Sequence, residues 1–452
     1  MEKSTNKVRL LHLSSVQLIV LSYVIVMFVS AILLMMPFSL KEGVKISFID
    51  ALFVAVSAVS VTGLSTVSIS ETFTVPGILI LAMQLQIGGI GIMTMSTLIW
   101  LLAGKKIGLK ERQLIMTDQN RLSLSGMVTL MKEILLLILW IEFFGMIFLW
   151  VRYLFYFNNG IEALYHAFFA SISATTNAGF DITGHSLIPF IDDYYVQFVT
   201  MILIIFGAIG FPVLIEVKDY LKSGRKLPVY HFSLFTKLTT SVFFILLVLG
   251  TILFYLFERR HLYSDLSWHK AWMISLFQSV TSRSAGLVTI DISQLTEASQ
   301  LWMSVLMFIG ASPSSVGGGI RTTTFAIIVL TIFMFARGRT TIQIFRREIL
   351  LEDIIRAFVV ASVGGIITVV SIIALIIIEN QPLTAIIFEV SSAFGTNGAS
   401  TGITSELTTA SKIILMLLMF IGRIGILSLL FLIRGKTKKD IYHLPKERVI
   451  IG

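Results

Sequence analysis

The sequence predicts an all-α polytopic membrane protein of four tandem repeats, each an outer helix, a re-entrant half-helix with a loop, and an inner helix. Three observations predict it. Eight apolar runs have spanning length, a Phe-to-Gly segment occurs four times between them, and a second glycine motif follows each segment in register.

The apolar runs lie at 15–36, 78–103, 130–154, 193–217, 234–257, 298–336, 355–378 and 411–434. About 20 apolar residues cross a bilayer core. The sixth run is too long for one straight helix and is expected to break in its middle. Of the 452 residues, 56% are hydrophobic and 13% charged, against about 25% charged in soluble domains. Such a chain needs lipid as its solvent, and no stretch is polar enough for a separate soluble domain. The first run follows a short basic stretch without a small-residue cleavage site, so it reads as a retained helix. With no cysteine, disulfides, thiolate metal sites and cysteine lipid anchors are excluded.

The repeated segments are FVAVSAVSVTGLS (53–65), FASISATTNAGFD (169–181), FQSVTSRSAGLV (277–288) and FEVSSAFGTNGAS (388–400). Each starts at Phe, passes a Ser or Thr and reaches Gly. Phe and Gly are ten apart in three copies and nine apart in the third. The glycines Gly63, Gly179, Gly286 and Gly398 recur at 107 to 116 residues, a period that signals internal repetition. Glycine motifs at Gly88, Gly207, Gly310 and Gly422 follow them by 24 to 28 residues. The repeats are placed at 1–112, 113–227, 228–348 (with the broken inner helix) and 349–434, ahead of a C-terminal tail at 435–452.

Charge gives the topology its sidedness. Of the 35 Lys and Arg, 25 fall on the termini and the loops 104–133, 218–238 and 337–356, and only seven on the other side. The positive-inside bias predicts a multi-pass protein of the cell membrane with both termini cytoplasmic and the half-helices entering from outside. The net charge of +9 then reflects loops beside anionic lipid rather than nucleic acid.

Irregular backbone at membrane depth is tolerated only in protein or beside a watery cavity. Four half-helices around one axis, each ending in a Gly-containing turn, would present a ring of carbonyl oxygens able to replace the hydration shell of a monovalent cation. Glycine permits the φ > 0 geometry this needs, and the helix C-termini add negative potential. Close helix packing at small residues is the plainer account of any one segment, but a poor account of four in register.

At these residues the chain resembles the Trk/Ktr/HKT superfamily of potassium transporters, and within it the KtrB-type membrane subunits. The carrying motifs are VTGLS (61–65), NAGF (177–180), SRSAGL (282–287), GTNG (395–398), GKKIGLKER (104–112) and FIGRIG (420–425), so the resemblance covers the whole chain. It implies a pseudo-fourfold arrangement around one pore. The selectivity filter is then expected at Val61, Thr62 and Gly63; Asn177, Ala178 and Gly179; Ser284, Ala285 and Gly286; and Thr396, Asn397 and Gly398. Glycine at all four positions matches potassium-favouring members. The resemblance further implies potassium as the transported substrate, stimulation by sodium, a homodimer, and a cytosolic KtrA-like nucleotide-binding ring as regulatory partner. No bound organic cofactor is expected.

The broken sixth run contains Ala311, Ser312, Pro313, Ser314, Ser315, Val316 and the glycines Gly317, Gly318 and Gly319. Proline and glycine oppose a continuous helix there, and the resemblance implies an intramembrane gate. A simple kink is the alternative. Arg321 after the glycines could form a phosphate nest, but the Lys-Ser/Thr of a nucleotide loop is missing. Arg423 is placed mid-helix, where a charge needs a polar partner. It is read as an electrostatic barrier paired with the 311–319 loop, or as a salt bridge or carbonyl clamp between helices. Glu142 and Glu389 pose the same question; Glu389 could draw cations or cap backbone amides. Arg283 is expected to brace the filter from behind, and His166 and His185 to be interfacial. An intramembrane enzyme is disfavoured by the lack of a catalytic set. A rocking carrier with inverted repeats is disfavoured because all four segments enter from one side.

Overall fold

A backbone in lipid must satisfy its own polar groups, which leaves helix as the outcome for apolar runs. The structure, a computed structural model, describes residues 15–91, 127–223, 231–339, 341–433 and 447. The GKKIGLKER motif, the basic N-terminus and the tail expected at 435–452, apart from Glu447, lie outside the described residues. The first copy holds α1 (Ser15–Met35), α2 (Phe48–Val59), the single turn α3 (Ile69–Thr72) and α4 (Val75–Ile90). The second holds α5 (Met127–Tyr153), α6 (Gly160–Thr175), α7 (Tyr194–Ala208) and α8 (Phe211–Ser223). In the third are α9 (Leu234–Glu258), α10 (Trp268–Thr281), α11 (Glu297–Ile309) and α12 (Thr322–Ala336). A hairpin, β1 (Gln343–Ile344) and β2 (Arg347–Glu348), leads to α13 (Leu351–Ile378), α14 (Leu383–Gly395), α15 (Thr409–Ile424) and α16 (Ile426–Ile433).

α1, α5, α9 and α13 have 21 to 28 residues, enough at 1.5 Å per residue to cross the apolar core of a bilayer. Their outward faces expose large apolar side chains, Trp140, Phe143, Phe144 and Phe148 on α5 among them. Soluble proteins avoid such patches; lipid-facing helices require them. α2, α6, α10 and α14 have 12 to 16 residues, about half a bilayer, and form the buried centre. Each is anchored by its opening Phe: Phe53, Phe169, Phe277 and Phe388 are at most 1% exposed. Truncating so buried a phenylalanine costs about 3–5 kcal/mol.

The inner helices begin at strong N-caps, Thr74, Asp193, Thr296 and Thr408, and every cap is tied to the end of its own outer helix or to the turn just beyond it. Thr74 Oγ1 donates to the Phe38 carbonyl at 2.6 Å. Asp193 accepts from Arg152 Nε at 2.6 Å and from the Tyr156 hydroxyl at 2.8 Å. Thr296 donates through N and Oγ1 to Glu258, and Thr408 does the same to Glu379. A carboxylate at a helix N-terminus also favours the helix dipole.

Two features differ from the sequence reading. The third inner helix is broken as expected, into α11 and α12, but the second and fourth also break: α7 and α8 meet at 104°, α15 and α16 at 98°. The physical cause is a glycine at φ +101° (Gly210) and φ +87° (Gly425). Four helices and two bent pairs therefore qualify as spans among the described residues. The run expected at 78–103 is helical over Val75–Ile90, and its remainder beyond Gly91 lies outside them. The second difference is Arg423. It stands in the last turn of α15, two residues before Gly425, and not in mid-helix.

Candidate functional site

The turns that follow α2, α6, α10 and α14 share one backbone pattern. The residue two before each glycine has positive φ, at Val61 (57°), Asn177 (53°), Ser284 (112°) and Thr396 (46°), and so do Gly63 (100°), Gly179 (69°), Gly286 (67°) and Gly398 (95°). Alternating left-handed and ordinary residues swings successive carbonyls toward one side. For the four non-glycine residues this conformation costs roughly 1–2 kcal/mol each, so something must hold it.

Part of that hold comes from a hydroxyl four residues past the opening Phe. Ser57 Oγ accepts from Gly63 N at 3.0 Å, and Ser392 Oγ from Gly398 N at 3.0 Å. In the middle copies the same position donates instead: Ser173 Oγ to the Phe180 carbonyl and Thr281 Oγ1 to the Leu287 carbonyl, both at 2.6 Å. The sequence showed this hydroxyl in all four segments, yet assigned it no role. The third copy's missing residue is also explained. Thr62, Ala178 and Asn397 donate their N–H five residues back, to Ser57, Ser173 and Ser392, whereas Ala285 donates four back, to Thr281.

The four turns meet. A Cβ placed on Gly63 would fall 2.3 Å from the Ala178 carbonyl oxygen, and one on Gly179 2.8 Å from that of Ala285. One on Gly286 would fall 2.2 Å from the Asn397 oxygen, and one on Gly398 2.1 Å from that of Thr62. Each copy backs on the next and the fourth closes on the first. Two side chains add to the seam between third and fourth copies: Asn397 Nδ2 donates to the Thr281 carbonyl at 2.7 Å, and Ser284 Oγ to the Thr396 carbonyl at 2.8 Å. All twelve expected site residues of the four turns are thus brought together, at the C-terminal, electronegative ends of four helices.

The inner helices press on these ends from behind. A Cβ on Gly88, Gly207 or Gly422 would meet the carbonyl oxygen of Val59, Thr175 or Phe394 at 2.4, 2.1 and 2.1 Å, each six residues past its segment's Phe. In the third copy Gly310 corresponds to the break glycines Gly210 and Gly425, and Met307 stands where the others have the packing glycine.

Residues 310–321 form a buried loop directly against the ring. A Cβ on Gly317 would lie 2.4 Å from Ser284 Oγ, and one on Gly318 2.6 Å from Thr396 Oγ1. On its other side Ser312 N donates to the Ala208 carbonyl at 3.1 Å, Val316 N to Gly207 at 3.3 Å, and Phe211 N to the Ser314 carbonyl at 2.9 Å. Ala311 N reaches the Gly318 carbonyl at 3.3 Å, while Pro313 and Ser315 are carried between these anchors. Gly319 packs on Gly310. Arg321 donates to the Gly317 carbonyl, and Arg423 to the carbonyls of Val316 and Gly88, with Gly89 at 3.2 Å. Arg423 thus pairs with the 311–319 loop, as expected, and also clamps backbone carbonyls at the end of α4.

Glu389 accepts from Ser400 Oγ, Thr401 N at 3.1 Å and Thr404 Oγ1 at 2.9 Å, so it caps the loop that follows the fourth turn. Glu142 accepts from Gln86 Nε2 at 2.6 Å. The Arg283 guanidinium lies 5.0 Å over the Phe243 ring of α9, behind the third turn. His166 stacks on Phe157 and His185 is exposed.

Residues 14–442 match the family described as TrkH, cation transport protein. The chain belongs to that family. It is a Ktr-type member: it is 54% identical to the Ktr system potassium uptake protein D of Bacillus subtilis (strain 168), over 97% of this chain and 98% of that one. Identity to the Ktr system potassium uptake protein B of the same organism is 37%, over 96% of each chain. The crystal structure of the potassium transporter TrkH from Vibrio parahaemolyticus superposes with a TM-score of 0.74 at 19% identity, covering 94% of this chain and 86% of that one. At that identity the likeness speaks to fold. This TrkH-family member is accordingly a multi-pass membrane transporter and not an enzyme.

Proposed function

We propose that the chain is the potassium-translocating subunit of a Ktr-type uptake system, with one pore on the pseudo-fourfold axis of its repeats. The observation that carries this is the closed ring of Gly63, Gly179, Gly286 and Gly398, each backing on the carbonyl before the next copy's glycine. In this reading the carbonyls of Val61–Gly63, Asn177–Gly179, Ser284–Gly286 and Thr396–Gly398 replace the water around a desolvated potassium ion. The repeats run 1–112, 113–227, 228–348 and 349–434.

The loop at 311–319 is the gate in this reading, held shut by Arg423 and set beneath the third and fourth quadrants. Supporting it, Gly317 and Gly318 lie against Ser284 and Thr396 without room for a Cβ. Control comes from a homodimer seated on a cytosolic nucleotide-binding ring, with sodium as a stimulating ion. The names of the two Bacillus relatives, both Ktr system proteins, support a partnered system.

The test is growth of a potassium-uptake-deficient cell at low external potassium. Expression of this chain with a Ktr-type cytosolic partner restores growth. Failure at verified membrane expression would remove potassium as the cargo.

A further inference from the structure

The hairpin between α12 and α13 has a two-residue turn, Phe345-Arg346, with φ of 50° and 61°. Turns of this kind take Asn-Gly by preference, because both central residues sit at φ > 0. Here neither is suited to it. Strain of this sort persists where the side chains serve a purpose beyond turning the chain. The hairpin is held rigidly all the same: Ile342 and Ile349 are buried beneath it, and Ile349 N donates to the Ile342 carbonyl at 3.0 Å.

Between this hairpin and the start of α9 runs a groove of about 650 Å³. Lys237, Arg346, Arg347 and His231 line it together with Phe232, Leu234 and Phe345, and among the described residues no acidic one does. None of Lys237, Arg346 and Arg347 is ion-paired among the described residues. The hairpin that walls the groove joins the end of α12 to the start of α13, and at those two ends Phe335, Leu350 and Leu351 are 82%, 69% and 69% exposed. Cations without ion pairs beside exposed apolar helix ends are the chemistry that suits an anionic bilayer interface.

We infer that this groove binds the headgroup of an anionic phospholipid, its phosphate against Lys237, Arg346 and Arg347 and its acyl chains along the exposed helix ends. A soluble anion would use the cations and leave the apolar rim idle; a lipid uses both. The site stands apart from the ring and from the 310–321 loop, so it is independent of the transport reading.

The experiment is native mass spectrometry of the full chain released from bilayers of phosphatidylglycerol and phosphatidylcholine, counting retained lipid. Lys237→Gln, Arg346→Gln and Arg347→Gln are expected to lower phosphatidylglycerol retention by about fivefold per residue and to leave phosphatidylcholine unchanged. Arg259→Gln with Arg260→Gln, at the other end of α9, is expected to change neither. Phe345→Asn with Arg346→Gly should raise the melting temperature while lowering phosphatidylglycerol retention, which a purely structural hairpin would not do. Equal retention by the triple variant overturns the proposal, as does equal loss in the α9 control pair. Displacement of the lipid by millimolar inorganic phosphate overturns it in favour of a soluble anion. Unchanged lipid retention with lost co-purification of a nucleotide-binding protein partner overturns it in favour of a protein interface.

Discussion

Arg423 and Val316 are 107 residues apart in the chain, yet the guanidinium of the first donates to the carbonyl of the second and, with its other nitrogen, to Gly88. One side chain thus ties the proposed gate to two inner helices. A hydrogen bond from a charged donor contributes about 1.5–3 kcal/mol, and each ~1.4 kcal/mol is a factor of ten in the closed-to-open balance. Arg423→Ala is expected to raise potassium flux about tenfold or more, with potassium-to-sodium preference unchanged. Shortening 311–319 acts in the same direction. Flux measured in proteoliposomes checks both; abolished flux in correctly folded protein would remove the gate assignment.

Gly63→Ser is expected to weaken discrimination against sodium. The new Cβ would fall 2.3 Å from the Ala178 carbonyl oxygen, and the backbone sits at φ +100°. Moving that one carbonyl changes a quadrant's share of the few kcal/mol on which monovalent selectivity rests. Gly365→Ala, with nothing within 4 Å of the added carbon, should leave ion preference alone. Paired potassium and sodium uptake reads both variants. Unaltered preference in Gly63→Ser at normal expression would sink the filter reading.

Ser57→Ala removes the hydroxyl that accepts from Gly63 N. A fully buried donor left unsatisfied costs about 1–3 kcal/mol, and Gly63 is half-buried, so the cost lies toward the lower end. The first turn should loosen, lowering potassium preference by a smaller factor than Gly63→Ser, and Ser57→Thr should restore it. Equal uptake ratios in Ser57→Ala and the parent would show that the brace is dispensable.

Acid should loosen the outer-to-inner helix ties. Burial raises the Asp193 carboxyl, but bonds from Arg152, Tyr156 and the Val196 N–H outweigh it and hold the group below the usual carboxylate range. Glu379 is likewise raised by burial and lowered further by Ser411 and Thr408. A depressed folded-state pKa gives stability that is present above the ordinary value and lost as pH falls through the folded one. The melting temperature should therefore hold steady down to about pH 4 and drop below it. Asp193→Asn should melt lower at neutral pH and show a shallower acid decline. An acid profile identical to the parent's would remove Asp193 from the account.

Composition and a period of about 110 residues made the membrane class and the four segments legible, because apolar length and the Phe-to-Gly spacing are properties of the chain itself. The breaks at Gly210 and Gly425 were not. Glycine is common in membrane helices, and only the close approach of Gly207 to Thr175 and of Gly422 to Phe394 distinguishes a packing position from the bend beside it. Arg423 was misplaced for the same reason: the apolar run continues through residue 434 although the helix turns away at Gly425. The hydroxyl pattern of Ser57, Ser173, Thr281 and Ser392 was visible but mute, since a serine four residues past a phenylalanine means nothing until the turn it braces is seen.

Closure of the ring bears on how such a chain is made. Gly398 must reach Thr62 before the fourth wall exists, and those two residues leave the ribosome far apart in time. A nascent or truncated chain that has inserted three segments has three walls and an open flank. If the ring is the proposed filter, such a chain offers an ion no full set of ligands, and desolvation would stay costly. Only the last segment to be synthesised closes the ring, through the approach of Gly398 to Thr62.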